Sequence, residues 1–397
     1  MKKIAIMMVL IMLFNVRVFA FYENVDEGNF EIEVVSTTPL TTLLKLNSKN
    51  AILYDNTYNQ ILFEKDAHVR VPNASTTKIL TAIVAYENGN LESIVTVSKN
   101  AAMIGGSVIN LRTNDKVKLG DLIKGLLIRS GNDAAIAIAE HVGGSVENFC
   151  KMMKEKAIKM NLTNTNFVTP HGLDNENHYS TAYDLVKIAE YLLDIKYFSD
   201  IVSKTNIAIK VNNNTMILNT TNEMLNIYHG ADGVKTGFTG KAGRCLITSA
   251  TRAGRQLISV VLGCETKRQR TEDSVKLLNY GFENYDVINI CENMKKEHKI
   301  RVEKGKNEKY TIVVEKEIKM PILEEDKEKI TYKYVFYDNL KAPIMKNQKI
   351  GEIYIFIGQE IVKKIDINLP KKIEKKGVFD FFNEISLNEL KKYEIRL

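Results

Sequence analysis

The sequence predicts a two-domain protein, with an α/β or α+β domain followed by a small all-β domain. Three observations support this. The chain has 397 residues, which is long for a single hydrophobic core. Helical and strand-like patterns interleave over residues 36–285, whereas apolar and polar residues alternate with a period of two over residues 290–370. The composition, 45% hydrophobic and 26% charged, is typical of a folded globular protein.

The first twenty residues have the pattern of a secretory signal peptide. Lysines at positions 2 and 3 precede an apolar run over residues 4–14, which is short for a membrane span. Residues 18–20, Val-Phe-Ala, offer a cleavage site, so we expect the mature chain to begin at Phe21. Arg17 lies close to that site, and an uncleaved anchor is the alternative. Cleavage removes three basic residues and no acid, which lowers the formal net charge from +7 to +4.

The elements of the first domain follow in order. Strand-like segments at 51–54 and 60–63 flank an Asn-rich turn. A helix is expected from residue 75 to about residue 88, where Asn88-Gly89-Asn90 ends it. Later patterns predict four helices and a hairpin of two strands about the turn at 252–255; the helices are at 121–129, 133–142, 146–160 and 181–193, and the strands at 245–251 and 256–263.

The second domain is predicted from four alternating segments separated by charged or Gly/Pro turns, at 310–314, 330–337, 350–357 and 361–369. Pro370 and four nearby lysines mark a linker that opens a tail over residues 371–397. In this tail an apolar stripe falls at helical spacing and is formed by Val378, Phe381, Phe382 and Ile385. We expect an amphipathic membrane-binding tail; the alternative is that its phenylalanines pack on the β domain.

Composition argues against several classes of function. The modest positive charge contains no dense basic block with interleaved aromatic residues, so nucleic-acid binding has little support. The six histidines form no zinc motif, and we expect chemistry without a metal. The cysteines have no C-x-x-C spacing, so buried free thiols are expected in preference to a bridge; they are Cys150, Cys245, Cys264 and Cys291.

Three short motifs carry reactive groups. Ser75-Thr-Thr-Lys78 places a hydroxyl and an amine on one face at the start of a helix, where free backbone N–H groups can also stabilise an oxyanion. Ser130-Gly131-Asn132 falls in a break between two helices and can project a hydroxyl and a carboxamide into a cleft. Lys235-Thr236-Gly237 precedes Phe238 and Thr239 in a segment that we interpret as a strand, where the glycine permits close approach of a ligand.

Each motif alone has an ordinary structural explanation. Ser-x-x-Lys is compatible with any helix start that carries an exposed lysine, Ser-Gly-Asn with a turn, and Lys-Thr-Gly with a strand end. The functional interpretation rests on the ordered set, whose first residues are separated by 55 and 105 positions in a chain that is predicted to be exported.

Taken together, these residues resemble the active-site set of the penicillin-recognising serine enzymes. Their surroundings are similar to those of the low-molecular-weight D-alanyl-D-alanine carboxypeptidases, over roughly residues 36–370. The segments that carry this resemblance are Pro72-Asn-Ala-Ser-Thr-Thr-Lys78, Leu127-Ile-Arg-Ser-Gly-Asn-Asp-Ala135, Thr169-Pro-His-Gly-Leu173, His178-Tyr-Ser-Thr-Ala182 and Asp232-Gly-Val-Lys-Thr-Gly-Phe-Thr239.

The resemblance implies an α+β catalytic domain of the β-lactamase and transpeptidase type, with an antiparallel sheet flanked by helices, followed by a sandwich-like β domain. It implies hydrolysis of the terminal D-alanine from peptidoglycan stem pentapeptides, without a metal or organic cofactor. β-Lactam antibiotics would be covalent inhibitors. We expect the enzyme outside the cytoplasm, at the outer face of the cytoplasmic membrane.

The resemblance also assigns roles to residues. Ser75 is the expected nucleophile, Lys78 its base, and Ser130 the group that passes the proton to the leaving D-alanine. Asn132 would hold the substrate amide, and the backbone N–H groups of Ser75 and Phe238 would form the oxyanion hole. The terminal carboxylate would be received by Lys235, Thr236 and Thr239, next to Gly237.

Alternatives remain at this stage. His171 and His178 are interpreted as residues that fix a loop by hydrogen bonding. A β-lactamase would need a carboxylate in a loop after the middle motif, and residues 163–173 contain no acid. A D,D-endopeptidase shares the same motifs. A penicillin-sensing or wall-binding module without catalysis would not need a nucleophile paired with a base.

Overall fold

The structure is a computed structural model that describes residues 44–290, 296–314, 317–377 and 380. The chain forms two compact units, and we treat each by itself. We call Pro39–Asp286 the N-terminal unit and Val287–Leu397 the C-terminal unit. The predicted signal peptide and all four residues of the apolar stripe of the tail lie outside the described residues. No helix in the described part of the chain is long and apolar enough to cross a membrane.

The N-terminal unit interleaves nine strands with nine helices over its described residues. The strands are β1 (Asn50–Asp55), β2 (Gln60–Lys65), β3 (Ile94–Thr96), β4 (Lys116–Lys118), β5 (Asn206–Val211), β6 (Asn214–Asn219), β7 (Ala231–Thr239), β8 (Gly243–Arg252) and β9 (Arg255–Cys264). The helices are α1 (Lys78–Asn88), α2 (Lys99–Met103), α3 (Leu119–Ile128), α4 (Asn132–Gly143), α5 (Val146–Lys159), α6 (Ala182–Asp194), α7 (Lys196–Val202), α8 (Met224–Ile227) and α9 (Lys267–Asn284).

A five-stranded antiparallel sheet in the order β2-β1-β9-β8-β7 forms the centre of this unit. Strands β8 and β9 form the predicted hairpin, which closes at the pair Arg252 and Arg255. Ala253 and Gly254 between them both have positive φ, as a two-residue turn that matches the twist of the strands requires. Strand β7 is the last strand of the sheet and is therefore paired on one side only. A separate sheet has the order β3-β4-β5-β6.

Both faces of the central sheet are covered. Helix α9 packs Leu277 and Leu278 into an apolar cluster with sheet residues such as Leu257. The opposite face belongs to the largest cluster, which includes most of the other helices. Helix α1 lies at its centre, because eight consecutive residues from Lys78 to Ala85 are buried. A helix that is buried on all sides holds its first residue, Lys78, rigidly inside the protein.

Over its described residues up to position 377, the C-terminal unit consists of strands and connecting segments, apart from a 3₁₀ helix at Glu324–Lys329. Its strands are β10 (Tyr285–Asn289), β11 (Lys296–Arg301), β12 (Lys309–Val314), β13 (Lys319–Leu323), β14 (Ile330–Phe336), β15 (Lys349–Ile357) and β16 (Glu360–Asn368). They form three small sheets, with the orders β10-β13, β11-β12 and β14-β15-β16. One apolar core includes Ile300, Ile322 and Ile353. The predicted α+β fold with a following all-β part is confirmed.

Most predicted elements occur within a few residues of their expected bounds. The first helix differs at its start, because Ala74–Thr77 forms a 3₁₀ turn and the α-helix begins only at Lys78. The elements that were not predicted are helices α2, α7, α8 and α9 and strands β3 to β6, β10, β11 and β13. Cys245 and Cys264 are buried free thiols as expected, whereas the free thiol of Cys150 is only half-buried. Cys291 lies outside the described residues.

Candidate active site

Ser75 lies in a tightly constrained turn at the start of α1. Ala74 before it has a φ of 50°, a value that is unusual for a residue with a side chain. The buried carboxamide of Asn73 donates hydrogen bonds to the hydroxyls of Thr76 and Thr77, at 2.9 and 3.0 Å. Thr76 and Thr77 donate in turn to the carbonyls of Asn73 and Ala74. This network fixes the turn, and the Ser75 side chain remains partly exposed to a cavity.

The Lys78 ammonium nitrogen contacts three oxygens from three segments of the chain. Its Nζ lies 2.7 Å from Ser75 Oγ, 2.8 Å from Asn132 Oδ1 and 2.6 Å from the His171 carbonyl oxygen. A neutral amine has two protons and one lone pair. If the protons go to Asn132 and His171, which can only accept here, the lone pair is directed at the Ser75 hydroxyl.

Burial lowers the pKa of Lys78 well below its ordinary value, and the positive charge of Lys235 lowers it further. The nearby carboxylate of Asp133 acts in the opposite direction. The Lys78 side chain is fully buried, so water stabilises its charged form very little. These surroundings favour the neutral form of the amine next to the nucleophile, which is the form that general-base catalysis requires.

The middle motif forms the start of α4. Ser130 is 4% exposed and has a φ of 65°, so its side chain reaches the cavity from a strained backbone position. Asn132 is held from both ends, since its backbone N–H donates to the Ser107 carbonyl and its side chain donates to the Gly105 carbonyl, both at 2.7 Å. The carboxamide oxygen is therefore oriented toward Lys78.

The buried carboxylate of Asp133 organises the loop that faces this motif. It accepts hydrogen bonds from the backbone N–H groups of Ile109, Leu111 and Ala134, at about 3 Å. Because Asp133 also lies in the first turn of α4, the helix dipole stabilises its negative charge. Asp133 thus ties residues 109–111 to the helix that carries Asn132.

Edge strand β7 lies directly against the Ser75 turn. A Cβ at Gly237 would lie 3.2 Å from the Ser75 nitrogen and 3.1 Å from the Asn73 oxygen, so a larger residue would push the strand away. Lys235 is 1% exposed, and burial together with the charge of Arg270 lowers its pKa to about 7. The hydroxyl of Thr236 lies 2.6 Å from that of Thr221 at the cavity wall.

Thr239, at the end of β7, is hydrogen-bonded to an acidic side chain. Its hydroxyl donates to Asp174 Oδ1 at 2.5 Å, and the other oxygen of Asp174 accepts from the backbone N–H of Lys241 at 3.2 Å. The hydroxyl of Thr239 would have to leave Asp174 before it could donate to a substrate carboxylate. Thr239 is also not among the residues that line the cavity.

His171 and His178 hold the loop beneath the nucleophile turn. His178 Nδ1 accepts from the backbone N–H of Val168, so its Nε2 donates to Thr77 Oγ1 at 2.8 Å. Burial lowers the pKa of His171 to about 3 and that of His178 to about 4, so both are neutral at pH 7. Gly172 has a φ of 80°, and a Cβ there would lie 2.0 Å from the Ala74 oxygen.

A cavity of about 490 Å³ opens in front of Ser75. Five of the predicted site residues line it, namely Ser75, Ser130, Thr236, Gly237 and Phe238. Lys78, Asn132 and Lys235 are buried and do not line it.

Sequence reasoning missed a group of charged residues on the cavity wall. Arg129, Arg244, Lys267 and Arg270 line it together with one acid, Glu223. The Arg270 side chain bonds Glu223 at 2.6 Å, and its buried Nε has no hydrogen-bond partner in the described part of the chain. Lys267 and Arg270 belong to α9. Its capping box of Thr266 and Gln269 was a usable sequence signal for this helix.

Comparisons with known proteins point to one family. Residues 35–266 match the model of the D-alanyl-D-alanine carboxypeptidase family, and residues 285–375 match the C-terminal domain of penicillin-binding protein 5. The chain is 32% identical to the D-alanyl-D-alanine carboxypeptidase DacF of Bacillus subtilis over 86% of this chain and 90% of that protein. It is 31% identical to DacD of Escherichia coli over 85% of this chain and 88% of that protein.

Solved structures give the same result. The structure of penicillin-binding protein 5 from Haemophilus influenzae matches with a TM-score of 0.73 and 29% identity, over 84% of this chain and 99% of that chain. A DD-transpeptidase of Streptomyces K15 matches with a TM-score of 0.59 and 33% identity, over 60% of this chain and 99% of that chain.

Proposed function

Because this chain belongs to the D-alanyl-D-alanine carboxypeptidase family, we propose that it removes the terminal D-alanine from peptidoglycan stem pentapeptides through an acyl-enzyme on Ser75. The observation that carries this proposal is the 2.7 Å contact between Lys78 Nζ and Ser75 Oγ, made by an amine whose pKa is strongly lowered. It pairs a nucleophile with a base at the edge of a cavity that has room for a peptide end.

Acylation begins when Ser75 Oγ attacks the carbonyl carbon of the penultimate residue and Lys78 Nζ takes the Ser75 proton. The negative charge that develops on the carbonyl oxygen would be stabilised by the backbone N–H groups of Ser75 and Phe238. A single donor of this kind contributes about 2.7–4 kcal/mol to transition-state stabilisation. The position of Gly237 against the Ser75 nitrogen supports this role, since it brings β7 close to the turn.

Collapse of the tetrahedral intermediate breaks the peptide bond. We assign Ser130 to hand a proton to the departing amine, with replacement from Lys78, so that free D-alanine leaves. Water then adds to the acyl carbonyl, Lys78 takes the proton of that water, and Ser75 Oγ leaves and recovers its proton. Asn132 holds Lys78 through its side-chain oxygen, and we propose that it also contacts the substrate amide.

The lowered pKa of Lys78 is essential to this scheme. At an ordinary pKa of about 10.4, only about one amine in 2500 is neutral at pH 7, which corresponds to a penalty of roughly 4.6 kcal/mol. Burial and the charge of Lys235 reduce this penalty. Lys235 and Thr236 are assigned to the terminal carboxylate of the substrate. We propose the same role for Thr239, whose hydroxyl would exchange its hydrogen bond with Asp174 for one with the substrate.

Release of free D-alanine from a muropeptide pentapeptide tests the activity. The expected result is one D-alanine and one tetrapeptide per substrate, together with covalent labelling by a penicillin. Cleavage of cross-linked dimers without D-alanine release would identify an endopeptidase instead, and rapid hydrolysis of the penicillin a β-lactamase. A protein that neither cleaves nor is labelled would be a binding module. Replacing the C-terminal carboxylate of the peptide by an amide should lower kcat/KM, if Lys235 and Thr236 act as assigned.

We further propose that the enzyme acts outside the cytoplasm and is held at the membrane surface by its tail. The signal-like residues 1–20, the lysines at 371–376 and the apolar stripe from Val378 support this by their sequence pattern. Deleting residues 377–397 from the mature protein should abolish binding to anionic lipid vesicles and leave activity on a soluble peptide unchanged. Unchanged vesicle binding would contradict the tail anchor.

A further inference from the structure

Arg244 and Phe238 form a stacked pair at the cavity wall. They are directly opposite each other on strands β8 and β7, so their side chains lie on the same face of the sheet. The guanidinium carbon of Arg244 lies 3.6 Å from the centre of the Phe238 ring, and that ring is 52% exposed. A guanidinium that is stacked by its flat face keeps its N–H groups at the edge, where they can bind a planar anion in a forked geometry.

The charge of Arg244 is not neutralised by this chain. In the described part of the chain, no hydrogen bond or ion pair is made by its guanidinium. The one acid on the cavity wall, Glu223, is bonded to Arg270 and Thr271. Asp174, at the end of β7, is occupied by Thr239 and Lys241. The N–H groups at the edge of the Arg244 guanidinium therefore have a fixed direction, and they have no acceptor within the described part of the chain.

The cavity as a whole is strongly cationic. Four basic side chains line it against one carboxylate, in the same space as the nucleophile. Such a site attracts and orients a substrate with more than one negative charge. Lys235 and Thr236 are already assigned to the terminal carboxylate, so the excess charge on the wall is available to a second acidic group.

We propose that Arg244, held flat by Phe238, binds a second carboxylate of the substrate, carried by the side chain of the residue that precedes the two terminal alanines. The terminal D-alanine has one carboxylate and a methyl group, so a further acidic group must lie on the acyl side of the scissile bond. The substrate class is a stem peptide whose third residue has an acidic side chain. This inference rests on the proposed carboxypeptidase function.

The test compares two peptides of equal length, Nα-acetyl-L-2-aminoadipyl-D-Ala-D-Ala with a free side-chain carboxylate and the same peptide with a side-chain amide. The measurement is kcat/KM for D-alanine release. We expect the wild type to prefer the acid by about tenfold or more, as one charge-assisted forked contact predicts. In Arg244→Gln the ratio should fall below about twofold. Arg252→Gln is the matched control, because Arg252 is also stacked on an aromatic ring, that of Tyr228, but does not line the cavity.

The possible outcomes distinguish a failure of the Arg244 subsite from a failure of the proposed carboxypeptidase function. Equal cleavage of both peptides by the wild type would overturn the subsite and leave the carboxypeptidase function intact. Cleavage of neither peptide would overturn the proposed function and the subsite with it. A preference that survives in Arg244→Gln, or that is lost equally in Arg252→Gln, would show that general attraction selects the acid and would overturn the role of Arg244.

Discussion

The two units of this chain bury different kinds of side chain. In the N-terminal unit Lys78, Lys235 and Arg270 are at most 3% exposed. The C-terminal unit has an apolar core rich in isoleucine, and over its described residues Asp326 is the one polar or charged residue that is buried. Burying a cation costs free energy unless its partners compensate, whereas burying isoleucine stabilises the fold. In the N-terminal unit, the buried cations of the candidate site therefore lower the stability of the fold. The C-terminal unit has no such cost over its described residues.

The largest expected effect is a loss of catalytic activity that leaves the stability of the N-terminal unit unchanged. Ser75→Ala should lower D-alanine release and penicillin acylation by about 10⁴-fold or more. The thermal midpoint should hardly change, because Ser75 is partly exposed and the turn is held by Asn73. Ser107→Ala is the control, since Ser107 lines the same cavity but takes part through its backbone carbonyl. Retained acylation in Ser75→Ala would remove it as the nucleophile.

Lys78→Met tests whether the buried amine that serves as the base also lowers the stability of the N-terminal unit. Acylation should fall by about 10³-fold or more while non-covalent binding of a peptide stays measurable, because Lys78 supplies base strength. The melting temperature should rise, because the free-energy cost of burying the amine exceeds that of the two hydrogen bonds lost by Asn132 and His171. An unchanged turnover with a raised KM, or a lower melting temperature, would contradict the comparison between the units.

The stability gain of Lys78→Met should also depend on pH. The pKa of Lys78 is lower in the folded protein than the ordinary value near 10.4, so the unfolded chain binds more protons between these two values. Wild-type stability therefore rises with pH in this window. The difference in melting temperature between Lys78→Met and the wild type should shrink as the pH approaches about 10. A difference that is independent of pH would contradict this linkage.

In the C-terminal unit, a core substitution should lower stability and leave activity unchanged. Ile353→Ala removes a fully buried side chain from β15 and should destabilise this unit by about 2–5 kcal/mol. Amide hydrogen exchange in residues 330–368 should become faster, whereas exchange in the central sheet and kcat/KM on a soluble peptide should not change. Ile361→Ala is the matched control, because Ile361 is 37% exposed, and it should have a much smaller effect. A fall in kcat/KM for Ile353→Ala would break the comparison.

The smallest expected effects are changes in the pKa of Lys78, caused by substitutions at Lys235 and Asp133, the two charged residues that shift it. Lys235→Met removes a charge that lowers the pKa of Lys78, so the acidic limb of the penicillin acylation profile should move to higher pH. Asp133→Asn removes a charge that raises this pKa, so the limb should move to lower pH. Shifts of about one unit or less are expected. Shifts in the same direction for both variants would show that the electrostatic explanation is wrong.

The three motifs were readable from sequence because each depends on short spacing that local structure preserves. Ser75 and Lys78 meet because they are three residues apart at a helix start, and Gly237 was identified as a point of close approach. The hairpin of β8 and β9 followed from local turn chemistry in the same way. Where the signal was local, the predicted structure agrees with the observed structure.

Contacts between distant segments could not be predicted. The His171 carbonyl reaches Lys78 across 93 positions, and no property of a histidine side chain indicates a role for its backbone oxygen. The hydrogen bond between Thr239 and Asp174 spans 65 positions, and the motif gave no sign of it. Arg244 could not be identified from the sequence either, because only the pairing of β7 with β8 places it over Phe238.

The turn at Gly172 also limits how this protein can evolve under antibiotic selection. To destroy a bound penicillin, the loop after the middle motif would have to present a carboxylate with an activated water near Ser75. At position 172 no side chain fits beneath the Ala74 carbonyl, and at position 171 the backbone oxygen is already bonded to Lys78. A substitution at position 172 therefore cannot supply the missing acid unless the loop backbone changes with it. Under the proposed mechanism, a molecule without such a loop stays acylated by the antibiotic that it meets.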